Sequence, residues 1–104
     1  MFTIIELQPF SALRDELFSD DEFLALQLHL CAHPQAGDVI PGSGGCRKLR
    51  WARAGMGKRG GSRVIYFLRL TAGQIVLVAA YAKNERDDVP REWLKRIKES
   101  FDGK

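Results

Sequence analysis

At 104 residues the chain has room for one compact domain and none for a second. A hydrophobic content of 45%, with six Phe, two Trp and two Tyr, fills a core and excludes a disordered chain. The net charge of +3 is mild, and two cysteines, Cys31 and Cys46, exclude a disulfide framework.

Phe2 to Leu7 reads as a first strand, closed by Pro9. From Phe10 to Phe18 the apolar residues Phe10, Leu13, Leu17 and Phe18 recur at helical spacing. Ser19 followed by Glu22 is a capping-box signature, and Asp20 and Asp21 suit the positive start of a helix. A second helix is expected over Asp20 to Ala32, with Phe23, Leu24, Leu26, Leu28, Leu30 and Cys31 on a wide apolar face and Pro34 barring its continuation. Residues 37–45 form a turn-rich connection. Cys46 to Arg53 alternates, with Leu49 and Trp51 on one face and Lys48 and Arg50 on the other. A loop of glycines and cations over 55–61 leads to a strand from Ser62 to Leu70. The short connection from Thr71 to Gln74 makes the next strand, Ile75 to Ala82, its antiparallel hairpin partner. A last helix is expected to start near Asp88 to Pro90 and reach Phe101, with Trp93, Leu94, Ile97 and Phe101 inward. The order βααβββα predicts a single α+β domain over 1–104, its mainly antiparallel sheet packed against helices. A domain this short buries a modest share of its surface and is marginal alone.

The charge is unevenly distributed. Residues 1–45 sum to −6, residues 46–70 to +8 without a single acid, and residues 71–104 to +1. Such concentration is the footprint of a polyanion-binding surface. The run alternates with Leu49, Trp51, Val64, Ile65, Tyr66 and Phe67, which points to an ordered sheet and not to a solvated tail. Met1 to Leu7 has neither a basic n-region nor a small-residue cleavage site, and Ile75 to Ala82 is too short to span a bilayer. We therefore expect a cytoplasmic chain without membrane partners.

The glycines do not form a nucleotide motif. A Walker loop ending at Lys58 needs glycine at 52 and Ser or Thr at 59, where Ala52 and Arg59 stand. A dinucleotide fingerprint from Gly42 needs glycine at 47, which is Arg47. His29 and His33 share a helix face, but no third ligand sits nearby and Cys31 points elsewhere, so core or helix-end histidines are expected, with no metal and no cofactor. The basic half contains no histidine, which argues against a ribonuclease built on a histidine pair. The polar residues left to act lie on the basic strands. Lys48 and Arg50 share a face, Arg63 opens the adjacent strand, and Tyr81 and Lys83 share a face at the end of the following one, with Asn84 just beyond. Register decides whether Arg63 meets the Tyr81–Lys83 end, and sequence does not fix it. Tyr81 as a half-buried sheet aromatic and the lysines as solvated cations is the competing reading.

Three stretches carry a resemblance: Gly37 through Arg50 (GDVIPGSGGCRKLR), Gly57 through Tyr66 (GKRGGSRVIY), and Tyr81 through Glu85 (YAKNE). Together with the two helices before the glycine turn, they resemble the HigB branch of the RelE/ParE toxin superfamily. The resemblance implies a toxin of a type II toxin–antitoxin system. Such a toxin cleaves mRNA on the ribosome and is silenced by an antitoxin encoded beside it, here expected to be a HigA-like helix-turn-helix protein. It places Arg63, Tyr81 and Lys83 on the family's catalytic positions. Arg47, Lys48, Arg50, Lys58, Arg59 and Asn84 become candidates for contacting RNA or the ribosome. Relatives of the ParE type poison DNA gyrase instead, and a non-catalytic RNA-binding module is a third reading.

The chemistry suits such a site. RNA brings its own nucleophile, the 2′-hydroxyl, so the protein need supply neither metal nor nucleophilic side chain. It must handle two protons and neutralise charge on the phosphate. Tyr81 or Lys83 are the proton handlers and Arg63 the phosphate clamp; a lysine base requires cationic neighbours to depress its pKa. If the ribosome supplies alignment, activity on free RNA is weak.

Overall fold

The computed structural model describes residues 2–51, 61–82 and 89–102. The described chain runs β1 (Thr3–Glu6), α1 (Gln8–Leu17), α2 (Asp20–Ala32), β2 (Asp38–Val39), β3 (Arg47–Trp51), β4 (Ser62–Arg69), a 3-10 turn (Leu70–Ala72), β5 (Gln74–Ala82) and α3 (Arg91–Asp102). The five strands form one sheet in the order β1-β5-β4-β3-β2, antiparallel except where β1 runs parallel to β5. This is the α+β class read from the sequence, with β2 as an added strand.

The sheet is the middle of three layers. Leu49, Val64, Tyr66, Ile75, Leu77 and Ala80 face α1 and α2, where Phe10, Phe18, Phe23, Leu26 and Leu30 meet them. Ile65, Phe67, Val76, Val78, Ala79 and Tyr81 face α3, packing with Leu94, Val89, Cys46 and Ile40. Both central strands are thus buried on both sides, which explains their near-continuous apolar runs. The rings of Phe10, Phe18 and Phe23 lie 5.8–6.4 Å apart between the first two helices. Deleting one such ring typically costs about 3–5 kcal/mol.

Helix ends follow local chemistry. Ser19 and Glu22 form the expected reciprocal box, with Glu22 N–H donating to Ser19 Oγ at 3.1 Å and Ser19 N–H to Glu22 Oε1 at 2.8 Å. Two expected boundaries move. Pro9 does not close the first strand but sits in the first turn of α1, where no amide hydrogen is required. Phe18 leaves the helix for extended backbone (φ −137°, ψ 135°) yet stays buried, so its helical spacing reported burial and not helix.

A register shift between Ile65 and Tyr66 has consequences for the site. Ile65 pairs with Ala79 and Tyr66 with Leu77, leaving Val78 as the extra residue of a β-bulge. Strict alternation from Ile75 and Leu77 would put Tyr81 on the α1–α2 face. The bulge reverses the parity, and Tyr81 faces α3 instead.

Candidate nucleic-acid interface

The site forms at one end of the sheet. Arg50 of β3 is the direct partner of Arg63 of β4, and Arg63 is the direct partner of Tyr81 of β5. Direct partners project to the same face, so two guanidiniums and a phenol form one row across three strands. Trp51, Ser62 and Ala82 form the adjacent row. The chain leaves the described residues at Trp51 and Ala82, and Lys58, Arg59, Lys83 and Asn84 lie outside them.

Placing like charges directly opposite is unfavourable, by about 0.2–1 kcal/mol in antiparallel pairs. The Arg50–Arg63 pairing suits an anion, because a phosphate placed against both guanidiniums turns that repulsion into charge-assisted hydrogen bonding. Arg50 is exposed and Arg63 half-buried. Tyr81 lies deeper than a half-buried aromatic. It is 5% exposed and packs in the same core cluster as Val89 and Leu94, so only a small part of it reaches solvent.

The remaining cations divide. Lys48 shares the face of Arg50, and its direct partner on β2 is Asp38. Arg47 points to the other face and holds the preceding loop. Its Nη1 donates to Gly37 O at 2.7 Å and to Gln35 O at 3.3 Å. Tyr66 secures the same loop from β4, its hydroxyl accepting from Gly37 N–H at 2.9 Å and donating to Pro34 O at 2.8 Å. Burial drives the Tyr66 phenol above its usual pKa, which favours the neutral donor that this bridge needs. Gly37 is glycine because a Cβ there would lie 3.0 Å from the backbone carbonyl of Lys48 and from the Tyr66 ring. Arg47 is therefore a structural clamp as well as a cation.

The glycine-rich turn is built around Ser43. Its buried hydroxyl donates to Ile40 O at 2.6 Å and accepts from Cys46 N–H at 3.0 Å, closing the turn into β3. Cys46 is fully buried beneath α3, and desolvation raises its thiol pKa. Neither feature cradles a phosphate within the turn.

The rings of His29, His33 and Trp51 meet at a tilt on the opposite face, with both ring separations 5.3 Å and both interplanar angles 50°. Among the described residues no three His, Cys, Asp or Glu side chains cluster as a metal would require. No described helix is long and apolar enough to cross a membrane. No protein-family model matches the chain.

One group of cations escaped the sequence reading. Arg91, Lys95 and Lys98 stand at i, i+4 and i+7 on α3, along the flank that borders the glycine turn. The spacing was available in the sequence; the neighbouring turn that gives it meaning was not.

Proposed function

We propose that the chain is the toxin of a type II toxin–antitoxin system of the RelE/HigB kind, a metal-independent endoribonuclease that cuts mRNA on the ribosome. The observation that carries this reading is the Arg50–Arg63–Tyr81 row, at the end of the sheet to which Lys83 is joined through Ala82. In this reading the 2′-hydroxyl of the message attacks its own phosphorus, the P–O2′ bond forms, and the P–O5′ bond breaks. Arg63, with Arg50 beside it, neutralises the charge that accumulates on the phosphate oxygens. Lys83, as a neutral amine, takes the 2′-hydroxyl proton on this scheme and gives it to the leaving 5′ oxygen. Tyr81, its hydroxyl buried in the core, acts in this reading by positioning Arg63 and not by touching the phosphate.

The depth of Tyr81 supports a second reading, in which the basic row docks on RNA without breaking it. Cleavage assays on programmed ribosomes separate the two. Arg63→Ala, Tyr81→Phe and Lys83→Ala are expected to abolish cleavage while circular dichroism and antitoxin binding stay unchanged. Tyr81→Phe keeps the ring and removes only the hydroxyl, so it leaves no large cavity. Parental cleavage rates in folded Arg63 and Lys83 variants overturn the nuclease reading.

A further inference from the structure

β1 is an open edge of the sheet. It pairs with β5 alone, and among the described residues no strand lies on its other side. Thr3 N–H donates to Gly73 O at 2.8 Å and Leu7 N–H to Leu77 O at 2.9 Å. Bonding alternates along a strand paired on one side, so the backbone groups of Ile4 and Glu6 face outward. Such an edge is a template for another strand unless Lys, Pro or a cover blocks it. Thr3–Glu6 holds neither Lys nor Pro, and its one charge, Glu6, is tied back to Arg14 at 3.4 Å.

An apolar groove of about 680 Å³ runs beside this edge. Phe2 and Ile4 form one wall, and Leu24, Gln27, Leu28 and Cys31 of α2 form the other. Leu24 and Leu28 are 54% and 62% exposed, so the groove presents bare hydrocarbon to solvent. Asp20 and Asp21 stand four and three residues before Leu24, which continues the same helix flank for one more turn, and both are exposed. Arg14 is the only Lys or Arg before residue 46, and it is engaged by Glu6 and by the Phe23 ring at 4.9 Å. The groove is therefore apolar along its length and acidic at one end.

We propose that this edge and groove accept an extended, basic segment of a partner protein, which adds a strand to β1. The outward backbone of Ile4 and Glu6 supplies main-chain hydrogen bonds, and Leu24 and Leu28 receive every second side chain of the segment. Asp20 and Asp21 select cations at its end. A second copy of the chain is a poorer occupant, because joining two β1 edges would bring together two segments that each sum to −6. β1 runs along Gln74–Leu77, whereas the Arg50–Arg63–Tyr81 row reaches β5 four residues later, so the segment binds apart from the row. The proposal goes beyond the nuclease reading and does not depend on it.

The test is fluorescence anisotropy with the whole chain and a fluorescein-labelled peptide in which valine alternates with threonine between terminal pairs of lysines. Saturable binding is expected. Leu24→Gln/Leu28→Gln should weaken it about tenfold or more by removing the groove's apolar contacts. Both positions are exposed on a helix that glutamine suits, so circular dichroism should stay parental. A strand added to an edge turns only every second amide toward that edge. N-methylation of one alternate set of peptide residues should therefore abolish binding, and of the other set leave it. Exchanging the lysines for glutamates should abolish it as well. The proposal falls if the peptide does not bind saturably, if either N-methylated set binds like the parent peptide, or if the glutamate peptide binds equally well. It also falls if sedimentation velocity shows self-association that Leu24→Gln/Leu28→Gln abolishes, since the groove then belongs to a second copy. A chain that binds the peptide in this manner yet leaves ribosomal mRNA intact overturns the nuclease reading and leaves this proposal standing.

Discussion

Replacing Arg50 with glutamine is expected to stabilise the protein, against the usual direction of single substitutions. Arg50 and Arg63 are direct cross-strand partners, so their Cβ atoms are about 4.5–5.5 Å apart. Two unit charges about 7 Å apart repel by about 0.6 kcal/mol in water and about 2.4 kcal/mol at an effective dielectric constant of 20. Arg50 is exposed, so the lower figure governs, and a gain of about 0.5 kcal/mol is expected. For a domain of this size that corresponds to a melting temperature about 2–4 °C higher. Salt should erase the gain, because the Debye length contracts from about 10 Å at 0.1 M to about 3 Å at 1 M. Arg47→Gln supplies the contrast at a neighbouring position of the same strand. It removes the hydrogen bonds to Gln35 O and Gly37 O and should cost about 1.5–3 kcal/mol. Thermal melts of both variants at 0.05 and 1 M salt provide the comparison. If Arg50→Gln melts below the parent, or its gain survives 1 M salt, the row is not a site of stored charge repulsion.

Tyr66→Phe should cost about 2–4 kcal/mol by leaving Gly37 N–H and Pro34 O without their buried partner, measured by urea denaturation at neutral pH. Stability should also fall at alkaline pH. Cys46 and Tyr66 both have folded pKa values raised above 9.0 and 10.0, so their contributions are full below those values and vanish as pH rises through the higher folded ones. Cys46→Ser should remove the loss that begins at about pH 9, and Tyr66→Phe the part that begins at about pH 10; denaturation series from pH 8 to 11 with unchanged slopes would refute both assignments.

The sequence made the helices and central strands legible because their signals are local. The capping box at Ser19 and the periodicity of Phe23, Leu26 and Leu30 need no knowledge of the rest of the chain. β2 escaped because two residues carry no alternation; they form a strand only because Arg47 and Lys48 lie alongside. The face of Tyr81 was likewise hidden, since the bulge at Val78 reverses the parity that counting from Ile75 predicts. The basic run from 46 to 70 falls largely on β3 and β4, but the sequence did not show how its cations divide. Arg47 serves a loop, Arg69 pairs with Asp102, and Arg50 and Arg63 align, distinctions that follow from register alone.

Mapping 5′ ends of abundant transcripts after brief expression tests the central claim most directly. The account predicts new ends within translated coding regions that appear with growth arrest and vanish with Arg63→Ala at equal protein level. Growth arrest with no new 5′ ends, or ends equally frequent in the Arg63→Ala culture, would contradict it.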